Sequence, residues 1–245
     1  MIKEQAFLAI PSEYKKGIRV YPPKIHDIVS NRFFPTYRHI LTVSQEELED
    51  EYTEKNISQK IPTPLEFILI NSYHDKTFEK MVKDAFYFFL KEEITISYEQ
   101  KMILIGDIKE MLAKATSLED IPYLNEQNFF DFQNEIRASL GEKPIEPPNP
   151  DEHPKIKRMK ALARLRDRVK AKQGSGINLI TTLASICCMG IGITPLNIGE
   201  MSYAAIGLLM QTYQEKEKYA IDIASLQAGA DSKKINPKYW IRNLD

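Results

Sequence analysis

The chain is poor in the residues that build covalently or metal-held folds. Its only two cysteines, Cys187 and Cys188, are neighbours. Adjacent cysteines would close a small, strained ring, which makes them a poor structural cross-link. Two sulfurs with no His or further Cys nearby are too few for a zinc site. They read instead as small buried hydrophobes of a protein in a reducing cytoplasm. The four histidines, His26, His39, His74 and His153, are scattered along the sequence without an H-E-x-x-H pair. No G-x-x-x-x-G-K-[ST] phosphate loop occurs, Gly190-Ile191-Gly192 lacks the third glycine of a dinucleotide turn, and no G-x-S-x-G elbow holds a nucleophile. These absences point away from catalysis and imply no cofactor and no metal.

No export signal is expected, because the opening MIKEQAFLAIPSEYKK has no continuous apolar core of signal-peptide length. A long uncharged run, residues 174–199, follows a basic stretch and has the outline of a membrane anchor. Its composition says otherwise. Asn178, Thr181, Thr182, Ser185, Thr194 and Asn197 are polar, and Gly190, Gly192 and Pro195 interrupt its second half. The apolar part, residues 177–189, has 13 residues, against the ~20 that a spanning helix needs. It reads as a buried helix, a turn at the glycines, and a further element opened by Thr194-Pro195. No membrane insertion is expected.

Charge is balanced overall at −1 but divided along the chain. Residues 1–150 carry 18 basic and 25 acidic side chains, whereas residues 151–245 carry 15 and 9. The change of sign falls beside GEKPIEPPNPDEHP, which holds five prolines and no apolar periodicity. This predicts a mainly α protein in two units. Residues 1–140 form an N-terminal helical domain with a small β-hairpin, residues 141–154 an extended Pro-rich linker, and residues 155–245 a C-terminal helical domain.

Within the first unit, the β-prone run at 18–21 stops at Pro22 and Pro23. Ser44 with Glu47, and Thr63 with Glu66, are capping boxes that start two helices, the second with Pro64 at its first position. Phe78, Met81, Val82, Ala85, Phe86 and Phe89 share one helical face. The stretch ITISYEQKMILIG predicts strands at 94–98 and 101–105 around a tight turn, followed by a helix over 107–115. Asn125 is the expected cap of a helix whose Phe129, Phe132, Ile136 and Leu140 line a core stripe ending at Gly141.

The second unit opens on a basic helix, residues 155–172. Ile156, Met159, Leu162, Leu165 and Val169 recur every three or four positions among nine cations that include Arg164 and Arg168. Three readings fit: a solvated basic face over a packed stripe, a surface for an acidic protein such as the stretch EELEDEYTE, or a nucleic-acid contact. The residues that read bases, Asn, Gln and aromatics, are scarce there, which disfavours nucleic acid. Tyr203, Ile206, Met210 and Tyr213 mark a second amphipathic helix. At the chain end, Tyr239 and the single Trp240 lie among Lys233, Lys234, Lys238 and Arg242. An aromatic ringed by cations is either an interface anchor or the means by which the tail docks on its own domain.

Taken in order, YPPKIHDI, LTVSQEELEDEY, IPTPLEFILIN, AFYFFLKEEITISYEQKMILIG, the basic helix, Ile193-Thr194-Pro195-Leu196-Asn197, a Tyr-bearing helix and KKINPKYWIRNLD form a collinear set. The set resembles the tail assembly chaperones, or closely similar tail-region proteins, of long-tailed phages and prophages of Gram-positive bacteria, and it spans residues 18–245. Members of that family often carry Thr-Tyr-Tyr-Gln where this chain has Ser202-Tyr203-Ala204-Ala205. The resemblance implies a non-enzymatic protein of the host cytoplasm. It would coat the tape measure protein before the tail tube polymerises, self-associate along that client, and be absent from the mature virion. A permanent virion protein, or a nucleic-acid binder using residues 155–172, are the alternatives.

Overall fold

The computed structural model describes residues 1–15, 17–57, 60–107, 121–147, 151–172, 178–230, 235, 237–239 and 241, with backbone only at 154, 167, 168 and 170–172. The chain is mainly helical, with a small two-stranded hairpin and a small three-stranded sheet. Its first half builds the main core. Helix α1 (Lys3–Phe7) leads into the antiparallel pair β1 (Ser12–Lys15) and β2 (Ile18–Val20). Helices α2 (Ile25–Val29), α3 (Phe34–Thr42), α4 (Gln45–Glu54), α5 (Pro64–His74) and α6 (Lys76–Leu90) follow. Strands β3 (Ile94–Ser97), β4 (Met102–Ile105) and β5 (Tyr123–Leu124) form one antiparallel sheet with β4 in the middle, ahead of helix α7 (Phe129–Ser139).

Local chemistry places these elements as the sequence predicts. Ser44 Oγ accepts from the Glu47 amide while Glu47 accepts from the Ser44 amide, and Thr63 and Glu66 repeat the exchange. Each box satisfies two amides that a helix start leaves bare, worth ~0.5–2 kcal/mol for the cap. On α6, Val82, Ala85, Phe86 and Phe89 are fully buried and Phe78 and Met81 partly so. Phe129, Phe132, Ile136 and Leu140 meet them from α7, where Phe86 and Phe132 stack with ring centres 5.6 Å apart. In the sheet only alternate residues turn inward: Ile94 and Ile96 from β3, Ile103 and Ile105 from β4.

Several expectations need correction. Strands β1 and β5 carry no apolar alternation that would announce them. Asn125 does not begin α7, because Asn128 holds the cap position and its amide closes a turn onto the Asn125 carbonyl. The Asn125 side chain accepts instead from the Gln127 amide. The expected helix at 107–115 lies outside the described residues, apart from Asp107. Of the Pro-rich segment, residues 141–147 are irregular and lie back along α7: Ile145 donates its amide to Asn134, and Arg137 donates to the Lys143 carbonyl. Residues 148–150 are outside the described set.

Three further α-helices follow among the described residues: α8 (Pro154–Lys172), α9 (Leu179–Cys187) and the long α10 (Tyr203–Gln227). Asn178 caps α9 by accepting from the Thr181 amide. Gly190 and Gly192, at φ of +69° and +80°, make the expected turn. Helix α9 is less buried than its composition predicts: Ile186 is enclosed, whereas Ile180 is 77% exposed. Cys187 is half-buried and Cys188 is exposed, so burial does not account for both thiols. Ile186 packs with Ile198, Ile206 and Ile25, the last supplied by α2.

Main-chain bonds also join the two halves. Ile25 donates to the Met201 carbonyl and Tyr203 to the Pro23 carbonyl, each at 2.9 Å. Buried Ser202 accepts from the Ala205 amide as the cap of α10 and donates to the Phe7 carbonyl. Ala204 sits so close to Gly141 that a Cβ there would lie 3.0 Å from the Ala204 Cβ. Among the described residues, no helix is long and apolar enough to cross a membrane.

Candidate functional site

Helix α8 meets the first half through charge. Glu46, Glu49 and Asp50 recur at helical spacing on α4, on the side away from buried Leu48. Arg164 reaches two of them: its Nε donates to Asp50 at 2.7 Å and Nη1 binds Glu46. Lys157 lies 3.5 Å from Glu49, and Lys160 pairs with Glu152 at 2.7 Å and Glu146 at 3.2 Å. The bond to Asp50 raises the Arg164 guanidinium above its ordinary value, against the opposing cost of burial. Lys160 is raised in the same way, first by its bond to Glu152.

The apolar stripe of α8 is therefore not the packed side. Ile156, Met159, Leu162, Leu165 and Val169 are 43–62% exposed. Among the described side chains of this helix, Lys160, Ala161 and Arg164 are the half-buried ones. The reason is geometric. At ~100° per residue, Lys157, Lys160 and Arg164 fall within ~60° of one another, and Met159, Leu162, Leu165 and Val169 cover ~120° on the opposite side. A helix can present only one of these sectors to α4, and α4 offers carboxylates. Lys155, Arg158 and Arg166 share the outward sector and form no ion pair among the described residues.

A second feature is a cavity of about 1140 Å³ between α1, α7, the start of α9 and the first turns of α10. Phe7, Ala138, Leu140, Tyr203, Ile206 and Met210 supply its apolar lining, with Asn134, Gln211 and Gln214 among the polar groups. Two of its three carboxylates are already engaged: Glu135 binds the chain's own N-terminal ammonium and the Ser12 hydroxyl, and Glu142 pairs with Arg38. Tyr14, also on its wall, donates to the Asn128 carbonyl at 2.8 Å. Burial, with the nearby charges of Asp131 and Glu135, pushes its phenol up to about 12. The size exceeds that of a typical small-molecule pocket, ~300–1,000 Å³.

The expected contact residues end up in different places. Arg164 points inward to α4. Arg168 belongs to the α8 backbone, but its side chain lies outside the described residues, as do Trp240 and Arg242 altogether. Lys238 is exposed. Tyr239 is 56% exposed and stands edge-on to Tyr219 of α10, ring centres 5.6 Å apart. The sequence reading missed the outward cations Lys155, Arg158 and Arg166 as a group; the helical wheel carries that signal once Arg164 is known to face inward. It also missed the cavity, since nothing in KEQAF announces that α1 would form a wall. Among the described residues, no three His, Cys, Asp or Glu side chains are grouped to hold a metal ion. Comparison with known proteins finds no matching family model, curated protein or solved structure.

Proposed function

We propose that the protein is a non-catalytic tail assembly chaperone of a long-tailed phage or prophage, which binds the tape measure protein in the host cytoplasm before the tail tube polymerises. The observation that supports this reading is the row of bare apolar side chains along α8, on a helix anchored by its opposite, charged face. A tape measure protein is a long helical chain with apolar stripes of its own. Two such stripes shield each other in a helix-on-helix contact, and neither then stays open to aggregation. Repeated contacts along a repetitive client add avidity, which favours self-association of the chaperone on it. The collinear motifs described above point to the same role.

The nucleic-acid alternative draws less support. Lys157, Lys160 and Arg164 are committed to Glu49, Glu152, Glu146, Glu46 and Asp50, and phosphate contacts by the outward Lys155, Arg158 and Arg166 would leave the apolar row bare.

The test is co-expression of the tagged chain with the tape measure protein of the same genome. The expected result is a client soluble only in company and a complex that persists at about 0.5 M salt, where exposed ion pairs are screened. A client indifferent to the chain would overturn the reading. Finding the chain in purified virions would favour a permanent tail protein instead. Loss of client binding in Trp240→Ala, with unchanged fold stability, would add the tail to the contact.

A further inference from the structure

We propose that the outward face of α8 seats an acidic amphipathic helix, so that the client segments bound there carry Asp and Glu beside their apolar stripe. The identity of the client rests on the reading above; the chemistry of the segment follows from α8 itself. Its outward sector mixes Met159, Leu162, Leu165 and Val169, all more than two-fifths exposed, with Lys155, Arg158 and Arg166, which form no ion pair among the described residues. A partner helix that covers the apolar side chains must also lie over those three charges. Carboxylates at its flanks would satisfy them, whereas lysines would repel them, and a neutral helix would strip water from the cations without return.

The same surface argues against other occupants. A second copy of α8 would bring Lys155, Arg158 and Arg166 against their own kind. An interfacial membrane helix would have a different composition. The outward stripe has no Trp or Phe, the residues that interfacial helices commonly bury. Nucleic acid would take the cations and leave the apolar row bare.

The experiment uses the full chain co-expressed with the tape measure protein, with a benzophenone amino acid at position 162. Position 196 serves as reference, since Leu196 is 97% exposed and lies off α8. Irradiation at 162 is expected to label tape measure segments with an acidic excess, at least ~fivefold above position 196, and Arg158→Glu with Arg166→Glu to cut that labelling ~tenfold. Arg158→Gln with Arg166→Gln should cut it less, and circular dichroism should show the same helix content in both pairs. The proposal is overturned if the complex forms but position 162 labels no more than 196, or labels neutral or basic client segments, a second copy or lipid. If no complex forms at all, the client reading fails first, and the seat loses its stated occupant with it.

Discussion

Arg164 and Asp50, 114 residues apart in sequence, hold each other by two contacts, Nε to Oδ2 at 2.7 Å and Nη2 to Oδ1 at 3.4 Å. With Glu46 on the adjoining turn, they fix which side of α8 faces the protein. An exposed ion pair contributes only ~0.2–1 kcal/mol, and a two-acid clamp on one guanidinium is expected near the top of that range.

Arg164→Gln should therefore loosen α8 without unfolding the chain. Amide exchange over residues 157–166 is expected to quicken by about fivefold, while exchange in α6 stays unchanged. Raising the salt should quicken α8 in the parent chain and have a smaller further effect in the variant. Equal salt sensitivity in both would show that Arg164 is not the clamp.

The stacked pair Phe86 and Phe132 is fully buried at the centre of the first half. Phe132→Ala should cost about 3–5 kcal/mol in denaturant unfolding, a large share of the ~5–15 kcal/mol that holds most domains. Tyr73→Ala, at a residue 65% exposed, should cost far less.

Gly141 and Gly190 offer a matched comparison, with φ of +70° and +69°. An added Cβ at Gly141 would lie 3.0 Å from the Ala204 Cβ and 3.1 Å from its Cα, whereas at Gly190 it meets nothing within 4 Å. Both Ala variants carry the left-handed backbone penalty of about 1–2 kcal/mol. Gly141→Ala should lose a further ~1–3 kcal/mol from overlap at the seat of α10. Similar losses at both sites would mean that α10 does not sit that closely.

Tyr14 gives a pH dependence with a definite sign. Its phenol keeps its proton in the folded chain to about pH 12, above the ordinary value of 10.0. Between those values the unfolded chain has released this proton and the folded chain has not, so folding stability falls as pH rises. Tyr14→Phe should flatten that fall in unfolding experiments between about pH 10 and 12. An unchanged slope would mean that the phenol is not buried against the Asn128 carbonyl.

Much of this architecture is legible in the chain. Ser44 with Glu47 and Thr63 with Glu66 mark helix starts because the bonds they make are local, closing within three residues. The aromatic stripes of α6 and α7 are legible because spacing alone decides which residues share a helical face. The basic helix and its apolar row are legible for the same reason. Spacing does not say what a face will meet. On α8 both sectors were visible, but only the position of Glu46, Glu49 and Asp50 decided that Lys157, Lys160 and Arg164 turn inward and Met159, Leu162 and Leu165 outward. Likewise, nothing local shows that Ile25 completes the cluster around Ile186 and Ile206, or that the Met201 and Pro23 carbonyls receive amides from the other half. Those contacts join residues far apart in sequence, and their partners are chosen by the shape and charge of surfaces that exist only after folding.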